Sequence, residues 1–272
     1  LDKFALGNQQ QADEVMADLQ KAEFRVEKLE KKERKRNPAA PFTTSTLQQE
    51  ASRKLGFSAR KTMSTAQKLY EGIDIGDGSH GLITYMRTDS VALSEQATSE
   101  AKEVITQLYG KESALDKPRV FRSKSKNAQE AHEAVRPPSI AHTPDQIKQY
   151  LTSDQFRLYQ LIWKRTVASQ MAQAIFDATS IDISAGDKYS FRASGQVIRF
   201  PGFMALYIEG TDNGDDEDQE GLLPALITGE FLNREELAPE QHFTQPPPRF
   251  TEASLVKILE EYGIGRPSTY AS

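Results

Sequence analysis

The chain has 272 residues, 38% hydrophobic and 27% charged, with a formal net charge of −5 and no cysteine. That length suits two or three ordinary domains; no apolar run is long enough to span a bilayer, and disulfides and thiolate zinc sites are excluded. A globally basic nucleic-acid binder is excluded too, so any such binding must come from a local patch.

Residues 12–35 alternate charged and apolar positions, and Phe24, Val26 and Leu29 fit a strand leading into mixed-charge Glu30–Arg36. Asn37-Pro38-Ala39-Ala40-Pro41 reads as a hinge. Thr46 or Ser45 caps a helix carrying Leu47, Ala51 and Leu55, which Gly56 ends. Ser58 caps the next, with Met63, Ala66 and Leu69, which stops at Gly72. The two helices around Gly56-Phe57-Ser58 make a helix-turn-helix pattern. A Gly/Asp loop leads to Gly81-Leu82-Ile83-Thr84-Tyr85-Met86-Arg87-Thr88-Asp89-Ser90, which reads as a short strand running into a polar turn. Period-two alternation would put Tyr85, Arg87 and Asp89 on one face and Leu82, Thr84 and Met86 on the other.

Ser94 caps a helix with Ala97, Ala101, Val104, Ile105 and Leu108, closed by Gly110. Lys117, Arg119, Arg122, Lys124 and Lys126 form a basic run. Asn127 to Val135 reads as a short helix halted by Arg136-Pro137-Pro138. Thr143-Pro144-Asp145-Gln146 is a capping box with proline at the first helical position. Thr152 or Ser153 starts the longest helix, with a core stripe of Phe156, Tyr159, Trp163 and Val167. From Ala178 the period changes. Ser180–Ser184, Tyr189–Ala193, Gln196–Phe200 and Met204–Glu209 read as strands, with turns at Ala185-Gly186-Asp187 and Ser194-Gly195. An acidic run from Asp212 to Glu220 reads as a solvated loop. Pro246-Pro247-Pro248 marks a boundary. Thr251 then caps a last helix with Leu255, Ile258, Leu259 and Tyr262 inward, ended by Gly263. Gly265-Arg266-Pro267-Ser268-Thr269 offers backbone, hydroxyl and guanidinium donors suited to a phosphate backbone.

Three groups are candidates for chemistry. A strand tyrosine is most often a packing residue, yet Tyr85 beside Arg87 pairs a potential covalent nucleophile with a phosphate-holding guanidinium. His132 and Arg136 would lie one turn apart on a helix, with Glu130 and Glu133 at i, i+3. The Asp215–Asp218 cluster superficially offers magnesium ligands, but a Gly/Asn-rich loop is a poor support for them. No Ser-His-Asp order, Gly-rich phosphate loop or zinc spacing is present. If Tyr85 attacks anything, a phosphodiester is the natural partner.

The Gly81–Ser90 stretch resembles the active-site signature of the type IA DNA topoisomerases, and Met86 after the tyrosine is like the bacterial topoisomerase I branch. Ala40–Gln49, Gln129–Pro137, Leu158–Trp163 and Phe250–Tyr270 are similar to further family segments, in family order. The resemblance implies an α+β multidomain fold: part of a toroid, a β-rich arch from residues 1–38 and 173–245, a mostly helical tyrosine-bearing domain at 39–172 inserted in it, and the start of a single-strand-binding domain at 246–272. It implies that Tyr85 becomes 5′-phosphotyrosyl, that Arg87 stabilises the scissile phosphate, and that His132 supports phosphate contacts. Arg136, Arg266, Ser268 and Thr269 are the implied DNA contacts, and Mg2+ the implied cofactor, its ligands in a domain outside this chain. The implied partners are DNA, mainly single-stranded, and the remaining domains of the same polypeptide, with no membrane. The opening on Leu1 and the end at Ser272 lead us to expect a piece of a larger, cytoplasmic isomerase, inactive in relaxation on its own. The alternatives are a non-enzymatic helix-turn-helix DNA-binding module, and a recombinase-like enzyme that would leave a 3′ linkage.

Overall fold

The computed structural model describes residues 6–122, 132–211 and 223–271. They divide into two units. One gathers the described residues of Leu1–Lys35, Ile175–Arg199 and Glu217–Pro248; the other holds those of Arg36–Ala174, Phe200–Asp216 and Arg249–Ser272. No helix among the described residues is long and apolar enough to cross a membrane.

In the first unit Asn8 caps helix α1 (Gln9–Lys21), its side chain accepting from the Gln11 amide at 2.9 Å. Sequence patterning gives no helix here, because Leu19 alone of its residues is buried. A four-stranded sheet follows, in the order β5 (Tyr189–Phe200), β4 (Ala174–Ala185), β1 (Phe24–Arg36), β6 (Phe231–Leu232). β1 and β6 run antiparallel, Phe24 opposite Leu232 and Arg25 opposite Phe231. β4 turns into β5 at the expected place, with Gly186 at φ 59°. The expected turn at Ser194-Gly195 is absent: β5 runs through it, paired along an equally long β4. β1 is exposed from Lys31 onward and is braced by charge. Glu30 pairs with Lys28 at 2.6 Å and Lys32 at 2.8 Å, which pulls its carboxyl down to about 2. Arg192 of β5 grips Asp182 of β4 at 2.7 Å, and Arg199 bridges Glu33 and Asp177.

The second unit is built around helix α2 (Thr44–Leu55), buried at seven of its first eight positions. Its cap is Thr43, two or three residues before the expected cap, in a reciprocal box with Thr46. Gly56, at φ 67°, closes α2 in the left-handed region and feeds α3 (Ala59–Glu71), capped by Ser58. The expected Gly/Asp loop contains a two-residue hairpin, β2 (Ile73–Asp74) with β3 (Ser79–His80). Helices α4 (Glu95–Tyr109), α5 (Pro144–Ile147) and α6 (Ser153–Ser169) start at the expected caps Ser94, Thr143 and Thr152. Phe42, Leu47, Leu69, Ile83, Met86 and Ile162 are core residues. The Tyr159 phenol donates to His142 O at 2.6 Å and the Trp163 indole to Ile140 O at 2.8 Å, so both large rings bury with their polar ends satisfied.

Two expectations fail here. Met204–Glu209 is not a strand: Gly202–Ala205 forms a 3₁₀ turn after Pro201, with Gly202 at φ 51° and the Phe203 amide on Ala172 O. Helix α7 (Glu252–Glu261) turns its small residues inward; Ala253 and Val256 are buried, whereas Leu255 and Tyr262 are exposed. Small side chains let α7 approach α2 closely, where Glu260 accepts from the Ser45 hydroxyl at 2.6 Å. At its other end Glu252 accepts from the Ala59 amide at 2.6 Å.

The candidate tyrosine site

Residues 81–90 form no strand and bend at Ile83 and Met86. Their backbone is satisfied by irregularly spaced partners from three places, which leaves no ladder to register. The Leu82 amide donates to Leu69 O at the end of α3 (2.7 Å), and the Thr84 amide to Arg136 O (2.8 Å). The Thr84 hydroxyl donates to Ala134 O at 2.6 Å and accepts from the Arg136 amide at 3.0 Å. Thr44 supplies the third anchor. Its buried hydroxyl donates to Met86 O at 2.7 Å and accepts from the Thr88 amide at 2.9 Å. Its own amide, one of the unsatisfied donors at the start of α2, donates to Thr88 O at 2.9 Å.

With the backbone pinned this way, Met86, Thr88 and Ser90 are buried and Tyr85 and Arg87 point to solvent. The period-two alternation predicted for Tyr85 and Arg87 therefore survives without a strand, while buried Ile83, which by parity would share their face, breaks it before Tyr85. Tyr85 is 42% exposed and meets the ring of Tyr70 edge-on, at 5.4 Å between centroids and 64° between planes.

The expected helix over 127–135 falls partly outside the described residues, as do Glu130 and the whole Asp212–Glu220 run. Residues 132–136 are extended, not helical. Val135 bridges to Phe42, its amide on Phe42 O at 2.8 Å; the prolines that follow favour that extended backbone. His132 and Arg136 do not share a helix face. His132 is exposed, two residues from the Ala134 carbonyl that holds Thr84.

Arg136 requires a correction. It is 8% exposed, and each of its five N–H donors has an acceptor within the chain. Nε and Nη2 hold Glu133 at 3.1 and 2.6 Å, Nη1 holds Pro137 O and Pro138 O at 2.8 and 3.2 Å, and Nη2 reaches Ser94 Oγ at 3.3 Å. No donor is left for a phosphate, so Arg136 is a clamp beneath Thr84. The same Glu133 accepts from the Ser94 amide at 2.8 Å, a carboxylate seated at the N-terminus of α4. Arg119, from the basic run, turns Nη1 inward onto Ser169 O, at the end of α6, and Met171 O, at 2.8 Å each.

Beyond Gly263, the Arg266–Thr269 segment closes on itself. The Arg266 amide donates to Thr269 Oγ1 at 2.8 Å and the Thr269 amide to Arg266 O at 2.8 Å. The Thr269 hydroxyl is thus committed to its own turn, while Ser268 and Arg266 are exposed. Burial raises the Tyr270 phenol, and the carboxylates of Glu260 and Asp89 raise it further against the lowering charge of Arg266.

Among the described residues no group of three or more imidazoles and carboxylates could hold a metal ion. Among the described residues the side chains do not fit a magnesium site.

Sequence reasoning passed over Tyr70, Thr44 and Thr84. Tyr70 carries a legible signal, an aromatic at the polar end of an amphipathic helix; the two threonines carry none, because their bonds join residues far apart in sequence.

Tyr85 and Arg87 are thus exposed together on a segment whose backbone is tethered through Leu69, Arg136 and Thr44. The DNA topoisomerase family model matches residues 1–272, and the chain belongs to that family. It is 62% identical to DNA topoisomerase 1 of Xylella fastidiosa (strain Temecula1 / ATCC 700964) over 244 residues, 89% of this chain and 30% of the relative. It is 52% identical to that of Rickettsia prowazekii (strain Madrid E) over 273 residues, 100% of this chain and 35% of the relative. The full-length topoisomerase I of Thermotoga maritima superposes with a TM-score of 0.79 at 38% identity, covering 96% of this chain and 41% of that one. The chain thus spans about a third of the curated relatives' length.

Proposed function

We propose that this chain carries the nucleophile half of a type IA topoisomerase, with Tyr85 as the residue that attacks DNA. The observation that carries the reading is Tyr85 itself: an exposed phenol two residues from an exposed guanidinium, on a segment whose intervening side chain is buried. The Tyr85 Oη attacks the phosphorus of a single-stranded phosphodiester. The P–O3′ bond breaks, the phenolic proton is lost, and the departing 3′ oxygen takes up a proton. The phosphate stays on Tyr85 as a 5′-phosphotyrosine. Arg87 neutralises charge on the phosphate oxygens in the transition state. His132 adds a phosphate contact, and Arg266, Ser268 and the backbone around Thr269 grip the strand beside the cut. Strand passage through the break followed by religation relaxes negative supercoils, and the phosphotyrosyl bond conserves the energy that religation needs. Magnesium, the cytoplasmic setting and the remaining catalytic groups belong to the longer polypeptide in this reading.

In the complete enzyme, Tyr85→Phe abolishes covalent adducts on single-stranded DNA while leaving binding in place. Adducts that persist in that variant move the nucleophile elsewhere. The 272-residue chain alone is expected to leave negatively supercoiled plasmid unrelaxed in the presence of magnesium, and robust relaxation would refute that part of the reading.

A further inference from the structure

Tyr70 is as exposed as the tyrosine it touches, at 41%. The residue before it, Leu69, is fully buried and does the packing at this end of α3, so burial does not explain an aromatic at position 70. Its position is nonetheless tightly fixed. The Leu82 amide is bonded to Leu69 O at 2.7 Å, which ties the last turn of α3 to the start of the Tyr85 segment. Gly81 passes so close that a Cβ built on it would lie 2.9 Å from Tyr70 O, a distance that admits no side chain. Three residues beyond Leu82 the Tyr85 ring stands edge-on against Tyr70. Among the described residues this is the one ring contact Tyr85 makes. A half-exposed phenol without such a neighbour is distributed over several rotamers, and only some of them aim its oxygen at a phosphorus.

We infer that Tyr70 is a positioning residue, whose ring holds the Tyr85 phenol in the orientation for attack; the inference rests on Tyr85 being the nucleophile. Its hydroxyl has no part in this, so the ring alone is required.

The test uses the complete topoisomerase and an end-labelled single-stranded oligonucleotide, in single-turnover cleavage at saturating DNA. Tyr70→Leu lowers the saturated cleavage rate about two- to tenfold, the rate equivalent of one aromatic edge contact. It leaves the oligonucleotide Kd and the melting temperature unchanged, which a merely structural role would not do. Tyr70→Phe restores the wild-type rate. Should Tyr70→Leu melt lower than wild type, Tyr70→Gln, a good helix former suited to an exposed position, replaces it with the same expected loss. A wild-type rate in the well-folded variant overturns the inference, as does weaker DNA binding at an unchanged saturated rate, which would make Tyr70 a DNA contact. Tyr85→Phe runs in parallel. If it still forms the adduct, the underlying reading fails; if it forms none while Tyr70→Leu cleaves normally, only the Tyr70 inference falls.

Discussion

Arg136 separates a scaffold from a DNA contact, and replacing it gives a measurable answer. Arg136→Ala removes all five donors at once and leaves Glu133, two proline carbonyls and the Ser94 hydroxyl without that partner. Hydrogen bonds to a charged group contribute about 1.5–3 kcal/mol net, and breaking a buried ion pair costs about 3–5 kcal/mol. The Glu133 side chain is 32% exposed and regains water, which puts the expected loss at the lower end, about 3 kcal/mol. For a unit of this size that is about 6–12 °C in melting temperature. Arg136→Lys keeps the charge but cannot reproduce the planar fork, and loses about half as much. Two units need not melt together; Trp163, the single tryptophan, lies in the unit that contains Arg136, so its fluorescence is the right probe. Because the Arg136 carbonyl also accepts from the Thr84 amide and the Arg136 amide donates to the Thr84 hydroxyl, the loosened variant should lose DNA cleavage as well. A phosphate contact predicts the opposite pattern: an unchanged melt, with a salt dependence of binding shallower by about one ion. An Arg136→Ala melt within about 1 °C of wild type would refute the clamp.

Other sites give sharper but narrower tests. Thr44→Val keeps the shape and removes the hydroxyl between Met86 O and the Thr88 amide, so it should cost about 1–3 kcal/mol by Trp163-detected unfolding; a neutral result would mean that Thr44 does not anchor the segment. Gly81→Ala should force the segment off α3, lowering both stability and cleavage, by about 1–3 kcal/mol in the first; an alanine tolerated at full stability would contradict the close approach to Tyr70. Glu100 accepts from the Ser139 hydroxyl and the Ala141 amide at 2.9 and 3.0 Å. Burial raises its carboxyl, but those bonds, another from the Ile140 amide and the charge of Arg136 outweigh it, and the net shift is downward from 4.5. A carboxyl lower in the folded than in the unfolded chain stabilises fully above its unfolded value and loses that contribution as pH falls through the folded one. Melting temperature should therefore fall below pH 4.5, and Glu100→Gln should flatten that fall; identical profiles would refute it.

The helices of the second unit were legible because each begins at a side-chain cap and several end at a glycine, both local signals: Ser58, Ser94, Thr152 and Thr251 all cap as read. The inward face of α7 was misread because patterning assigns burial to large apolar residues, whereas α2 is approached through Ala253 and Val256. Tyr85 and Arg87 were legible as a pair because alternation of an extended chain needs no strand partner. The environment of that pair was not. Thr44 meets Met86, and Arg136 meets Thr84, across 42 and 52 residues of sequence, and periodicity cannot register contacts at that separation. Arg136 was misassigned for another reason: most of its donors go to near neighbours, Glu133, Pro137 O and Pro138 O, but a helical reading of 127–135 gives no sign that the backbone turns those acceptors toward its guanidinium.

The most direct test of the central claim traps the complete enzyme on a single-stranded oligonucleotide and maps the linked residue by mass spectrometry of the digested adduct. The account predicts the nucleotide mass on Tyr85, joined through the 5′ phosphate. A 3′ linkage, or an adduct on any other residue, would contradict it.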